Sequence, residues 1–93
     1  MNDPLEYLPA QLTAEQRILL QASAAGMPVD TSFYERKHGG RPKGLGHFHF
    51  SIDFPRNEVG SRLFFAVGTW CKCLQRALDE AVASGARSLT VLA

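Results

Sequence analysis

The chain has 93 residues, of which 45% are hydrophobic and 20% charged, with a formal net charge of +1. That length and composition predict one small folded domain; they exclude general disorder and leave little structure for a deep catalytic cleft. A net charge so close to zero is too low for a bulk nucleic-acid binder, so any phosphate contact has to be local.

Charge is unevenly spread. Residues 1–34 set Asp3, Glu6, Glu15 and Asp30 against Arg17 and are acidic. Residues 35–62 set six cations (Arg36, Lys37, Arg41, Lys43, Arg56 and Arg62) against Glu35, Asp53 and Glu58 and are basic. The start of the chain lacks the basic and apolar runs of a secretion signal, and no apolar stretch approaches the roughly 20 residues of a membrane span. Two cysteines, in Cys71-Lys72-Cys73, are too few for a disulfide framework. These features predict a soluble, cytoplasmic protein, and the small size favours a homodimer as a way to enlarge the core.

In chain order, residues 1–12 read as an irregular lead-in broken by Pro4 and Pro9. Thr13-Ala14-Glu15-Gln16 is a capping box. It opens a short helix that carries Ile18, Leu19, Ala22 and Ala25 on one face and stops at Gly26 before Pro28. Residues 29–36, with Val29, Thr31, Phe33 and Tyr34, read as a strand. Residues 37–46 read as a glycine-rich basic loop. Residues 47–54 alternate strictly, with His47, His49, Ser51 and Asp53 on one side and Phe48, Phe50, Ile52 and Phe54 on the other, the period of a half-buried strand. The two strands and the loop between them predict an antiparallel hairpin with a long tip.

The next segment carries two signals. Leu63, Val67, Trp70, Leu74, Leu78 and Ala81 recur at helical spacing and predict one long amphipathic helix from near Ser61 to Ser84. The run Leu63-Phe64-Phe65-Ala66-Val67 and the helix-weakening Gly68 point instead to a third strand followed by a helix from Thr69. Were the helix continuous, Phe64 and Phe65 would not both face one core, and one would be left for a partner or dimer mate. Gly85 ends the helix in either case, and Ser88–Leu92 reads as a C-terminal strand. The predicted fold class is α+β, with both helices on the phenylalanine face of the sheet.

The strongest candidate surface is the junction of the basic loop and the alternating strand. Arg36, Lys37, Arg41 and Lys43 stand among glycines that let backbone N–H groups approach a phosphate, and His38 lies in the same loop. Gly40-Arg41-Pro42 partly resembles the core of an AT-hook, which lays an arginine along the minor groove; Gly39 stands where that motif has its other arginine. His47 and His49 share a strand face and, with Tyr34, are suited to stacking on unpaired bases. As a metal pair they lack a third ligand close by, so no metal or cofactor is expected. Phe48-His49-Phe50-Ser51-Ile52 resembles the repeated motif of the two-histidine phosphoesterases, which implies a hydrolase; that family uses two copies and this chain has one. Cys71 and Cys73 point about 200° apart on a helix, with Cys71 the one expected in the core stripe.

No nucleophile–base set, paired acid or phosphate loop is recognisable, so no catalytic residue is assigned. The leading expectation is a non-catalytic module that contacts nucleic acid or a nucleoprotein through Arg36, Lys37, His38, Arg41, Lys43, His47, His49 and Tyr34. The alternative is a small accessory or inhibitor protein, such as the anti-defence proteins of phages and mobile elements, that docks on a larger protein.

Overall fold

The computed structural model describes residues 12–55 and 60–93, so most of the predicted lead-in lies outside the described residues. Within them the chain is α+β: a four-stranded mixed sheet with helices packed on it. The elements run α1 (Ala14–Ala24), β1 (Val29–Asp30), α2 (Ser32–His38), β2 (Leu45–Asp53), β3 (Ser61–Thr69), α3 (Trp70–Ala83) and β4 (Ser88–Val91). No helix among the described residues is long and apolar enough to cross a membrane.

The capping box forms as expected. The Thr13 hydroxyl accepts from the Gln16 amide at 3.1 Å and the Gln16 side chain accepts from Thr13 N–H at 2.9 Å, which satisfies two otherwise orphaned donors. Thr13→Ala is therefore expected to lower stability by about 1 kcal/mol, read as a shifted urea midpoint with unchanged slope. The helix stops where glycine allows it: Gly26 takes φ +76°, and Met27 N–H bonds back to Ala22 O at 2.8 Å.

Three expectations are corrected. First, residues 29–36 are not one strand. Only Val29–Asp30 pairs, and Ser32–His38 is a helix. Local bonds turn the chain: Asp30 accepts from both the backbone N–H (2.8 Å) and the hydroxyl (2.6 Å) of Ser32, and Thr31 Oγ1 donates to Glu35 Oε2 at 2.8 Å. The rings of Tyr34 and His38, four residues apart, meet at 4.3 Å. Arg36, Lys37 and His38 fall in the last turn, where cations favour the helix dipole. These side-chain interactions outweigh the β propensity of Thr31, Phe33 and Tyr34.

Second, the predicted hairpin does not form. β2 pairs antiparallel with β3 on one side and with β4 on the other, while β1 pairs parallel with β4, giving the order β1-β4-β2-β3. Third, residues 61–84 are not one helix. Ser61–Thr69 is a nine-residue strand, and the helix begins at Trp70, capped by Thr69 Oγ1 accepting Lys72 N–H at 3.3 Å. Gly68 takes φ +139° just before this switch, a backbone that side-chain-bearing residues rarely adopt. The helical spacing of Leu63 and Val67 with the later residues has no structural counterpart. Tertiary pairing decided the segment, since β2 needs a neighbour on this side to satisfy its backbone.

β3 and β4 both run antiparallel to β2, so they are parallel to each other and α3 is the crossover between them. That crossover lays α3 on the face made by Phe48, Phe50 and Ile52, and α1 packs in turn on α3 and β1. Phe50, Ile52, Leu74, Leu89 and Val91 are fully buried there. Trp70 stacks on Phe50 (centroids 6.0 Å, 12° between planes) and tilts against Phe48 at 5.1 Å. Both helices do lie on the phenylalanine side. Cys73 rather than Cys71 is fully buried in this core, because the helix starts at Trp70 and turns position 73 inward. Burial pushes its thiol pKa up, which keeps it an unreactive filler.

Candidate functional site

The opposite face of the sheet carries no described helix. Strand alternation and the pairing register decide what stands on it. On β2 these are Leu45, His47, His49, Ser51 and Asp53; on β3, Ser61, Leu63, Phe65, Val67 and Thr69. Ser88 and Thr90 of β4 and Asp30 of β1 complete it.

This open face has two chemically distinct halves. The apolar half lies on β2 and β3. His47 pairs with Val67, His49 with Phe65 and Ser51 with Leu63. Leu45 is 79% exposed, Val67 63%, Phe65 59% and Leu63 57%, a continuous patch on the order of 400 Å², in the range that marks an interaction surface. The His49 ring meets Phe65 edge to face at 4.8 Å and 76°, while His47 is exposed.

The polar half centres on Asp53. Its carboxylate accepts from the Ser51 hydroxyl at 2.8 Å, Thr90 at 2.9 Å and Ser88 at 3.2 Å. Each donor sits on β2 or on β4, so the cluster ties the two strands together and leaves these hydroxyls committed. It borders a shallow cleft of about 750 Å³ lined by Pro28, Asp30, Phe54 and Arg87 among others. The two Ser32 bonds, aided by nearby Arg36, hold the Asp30 carboxyl below the usual aspartate range. None of the strand positions of this face carries a lysine or arginine.

The cationic residues are placed elsewhere. Gly39, at φ +75°, ends α2, and the remaining loop joins α2 to β2 instead of capping a hairpin. Its centre is anchored to the helix layer. Arg41 Nη2 bonds Glu15 Oε1 of α1 at 2.9 Å, Pro42 is buried, and Trp70 N–H bonds Gly44 O at 2.8 Å. The Trp70 indole N–H donates to the second oxygen of the same Glu15 carboxylate. Glu15 thus holds Arg41 and Trp70 together across a small cleft of about 400 Å³ that Lys43 also lines.

Of the sequence-predicted residues, the structure unites His47 and His49 on the open face. It puts Arg36, Lys37 and His38 on the exposed end of α2 and commits Arg41 to Glu15. Tyr34 is half-buried against the core, and the exposed aromatic of that helix is Phe33, at 43%. Among the described residues, no three histidine, cysteine or acidic side chains gather as a metal set. Leu45, Leu63, Phe65 and Val67 were missed as site residues. For the three on β3 the signal was the β-prone run Leu63–Val67, which the helical stripe obscured. The chain matches no family model, no curated protein and no solved structure.

Proposed function

We propose that this protein is a non-catalytic docking module, of the accessory or inhibitory kind, that binds a partner protein through the apolar half of its open sheet face. The observation that carries the reading is the exposure of Leu45, Leu63, Phe65 and Val67 side by side on a rigid sheet. Contiguous apolar exposure costs solubility and persists where a contact requires it. Phe65 is the central anchor: it is aromatic, braced by His49, and flanked by aliphatic side chains that would ring it against water once a partner is seated, the arrangement of an interface hot spot. The histidines supply polar contacts beside it.

Electrostatics favour a protein over a nucleic acid on this face. Single-strand platforms combine stacking aromatics with cations that track the phosphates. Here the aromatic surface lacks the cations, and Asp53 and Asp30 stand at its other end. The second reading, phosphate binding at the basic residues, is favoured by the exposure of Arg36, Lys37 and Lys43. It uses a different surface, so variants separate the two.

The test measures protein capture by immobilised wild type, by Phe65→Ser/Val67→Ser and by Arg41→Ala/Lys43→Ala, beside binding to labelled single- and double-stranded DNA and RNA. Capture is expected to survive about 0.5 M salt. It should fall by about 30-fold or more in the Phe65→Ser/Val67→Ser variant, the effect of losing a hot spot, and hold in the loop variant. Steeply salt-dependent nucleic-acid binding that only the loop variant loses would overturn this reading in favour of phosphate recognition.

A further inference from the structure

β3 is an edge strand, and its backbone polarity can be read from the bonds on its neighbour. His49 N–H bonds Ala93 O and Leu92 N–H bonds His49 O, both at 2.7 Å, while Arg87 N–H bonds Asp53 O at 2.7 Å. The backbone groups of His49 and Asp53 therefore turn towards β4, and those of Phe48, Phe50 and Ile52 turn towards β3. Their register partners Ala66, Phe64 and Arg62 face back. By alternation, Ser61, Leu63, Phe65 and Val67 direct their N–H and C=O groups to the open edge, where no described strand pairs with them. An edge of this length is normally blunted by proline, lysine or a bulge. β3 has no proline or lysine, and its single charged residue, Arg62, is held on the helix side by Glu80 Oε1 at 2.6 Å and Ser84 Oγ at 2.7 Å.

We infer that this edge is the site where a second copy of the chain pairs, β3 against β3, antiparallel about a twofold axis at Phe65. The edge is self-complementary in that register. Phe65 meets the partner copy's Phe65, and each Leu63 meets Val67 across the axis, so the outward backbone groups find partners and the apolar stripes join. On the helix side Arg62 falls opposite Gly68, so no like charges meet and the glycine leaves room for the long side chain. The association closes at two, because the other edge of the sheet is β1, only two residues long. It leaves the open face uncovered and doubles it into one eight-stranded platform with both Phe65 rings at its centre. The inference goes beyond the docking reading and stands without it. Pairing over nine residues buries on the order of 1,000 Å² in total, the lower bound for a specific interface, so the dimer depends on concentration.

Light scattering coupled to size exclusion is expected to give a mass rising from one chain to two across about the micromolar range. Phe65→Cys in a Cys71→Ser background should form an intermolecular disulfide on oxidation, since facing residues of a hydrogen-bonded antiparallel pair lie about 5.5 Å apart at Cα. Ser61→Cys in the same background should not, because its copy lies at the far end of the pairing. Leu63→Pro removes an outward N–H without touching the bonds to β2 and should leave a folded monomer. One-chain mass at every concentration up to about 1 mM would overturn the inference. So would a dimer in which Ser61→Cys cross-links as readily as Phe65→Cys, or one that a folded Leu63→Pro variant retains.

Discussion

Phe50→Ala is expected to be the most damaging single truncation in the chain, lowering stability by about 3–5 kcal/mol. Phe50 is fully buried at the centre of β2, between β3 and β4. It stacks on Trp70 and lies 6.3 Å from Phe64, so its loss opens a cavity where the sheet meets α3. In a domain of this size each kcal/mol moves the melting midpoint by about 4–8 °C, which places the variant on the order of 20 °C below wild type. Circular dichroism melting checks this, with Phe65→Ala as the control. Phe65, 59% exposed on the other face, should lower stability by about 1 kcal/mol or less, the share of its cross-strand contact with His49. Equal losses from the two substitutions would refute the assignment of the faces.

Glu15→Ala should destabilise by about 1–3 kcal/mol, the cost of leaving a partly buried donor without its acceptor. One carboxylate serves the Trp70 indole and the Arg41 guanidinium, so its removal loosens the start of α3 and the basic loop together. Arg41 is 52% exposed at its side chain, and Arg41→Ala should cost less than about 1 kcal/mol; most of the effect belongs to Trp70. Glu15→Gln, which keeps an acceptor oxygen, should recover part of the loss. Urea unfolding followed by Trp70 fluorescence measures all three. The same variant bears on the basic loop: freeing Arg41 should strengthen any phosphate binding the loop has, and leave docking at the sheet face unchanged.

Much of the local structure was legible in the chain. The capping box at Thr13, the stop at Gly26 and the two-sided strand at 47–54 each depend on neighbouring residues, so their signals survive without knowledge of the rest. The β-prone run at 63–67 was legible too, as one of two conflicting signals. The site was half legible. His47 and His49 were identified from their period-2 spacing, but the apolar neighbours that give them a context stand on β3, and cross-strand pairing is not written in either strand separately. The basic loop was visible as composition, yet its composition held no hint that Glu15, 26 positions away, engages Arg41.

By itself, then, the sequence determined the α+β class, the face of β2 that is buried, and the terminal strand, because side-chain periodicity and capping act over a few residues. Only the tertiary structure decided that residues 61–69 extend as an edge strand and that β1 joins β4 in parallel. Those outcomes rest on which backbone groups find partners and which apolar faces meet, and that competition is settled between segments far apart in the chain. It is the same competition that turned Phe64 towards the core and left Phe65 facing water.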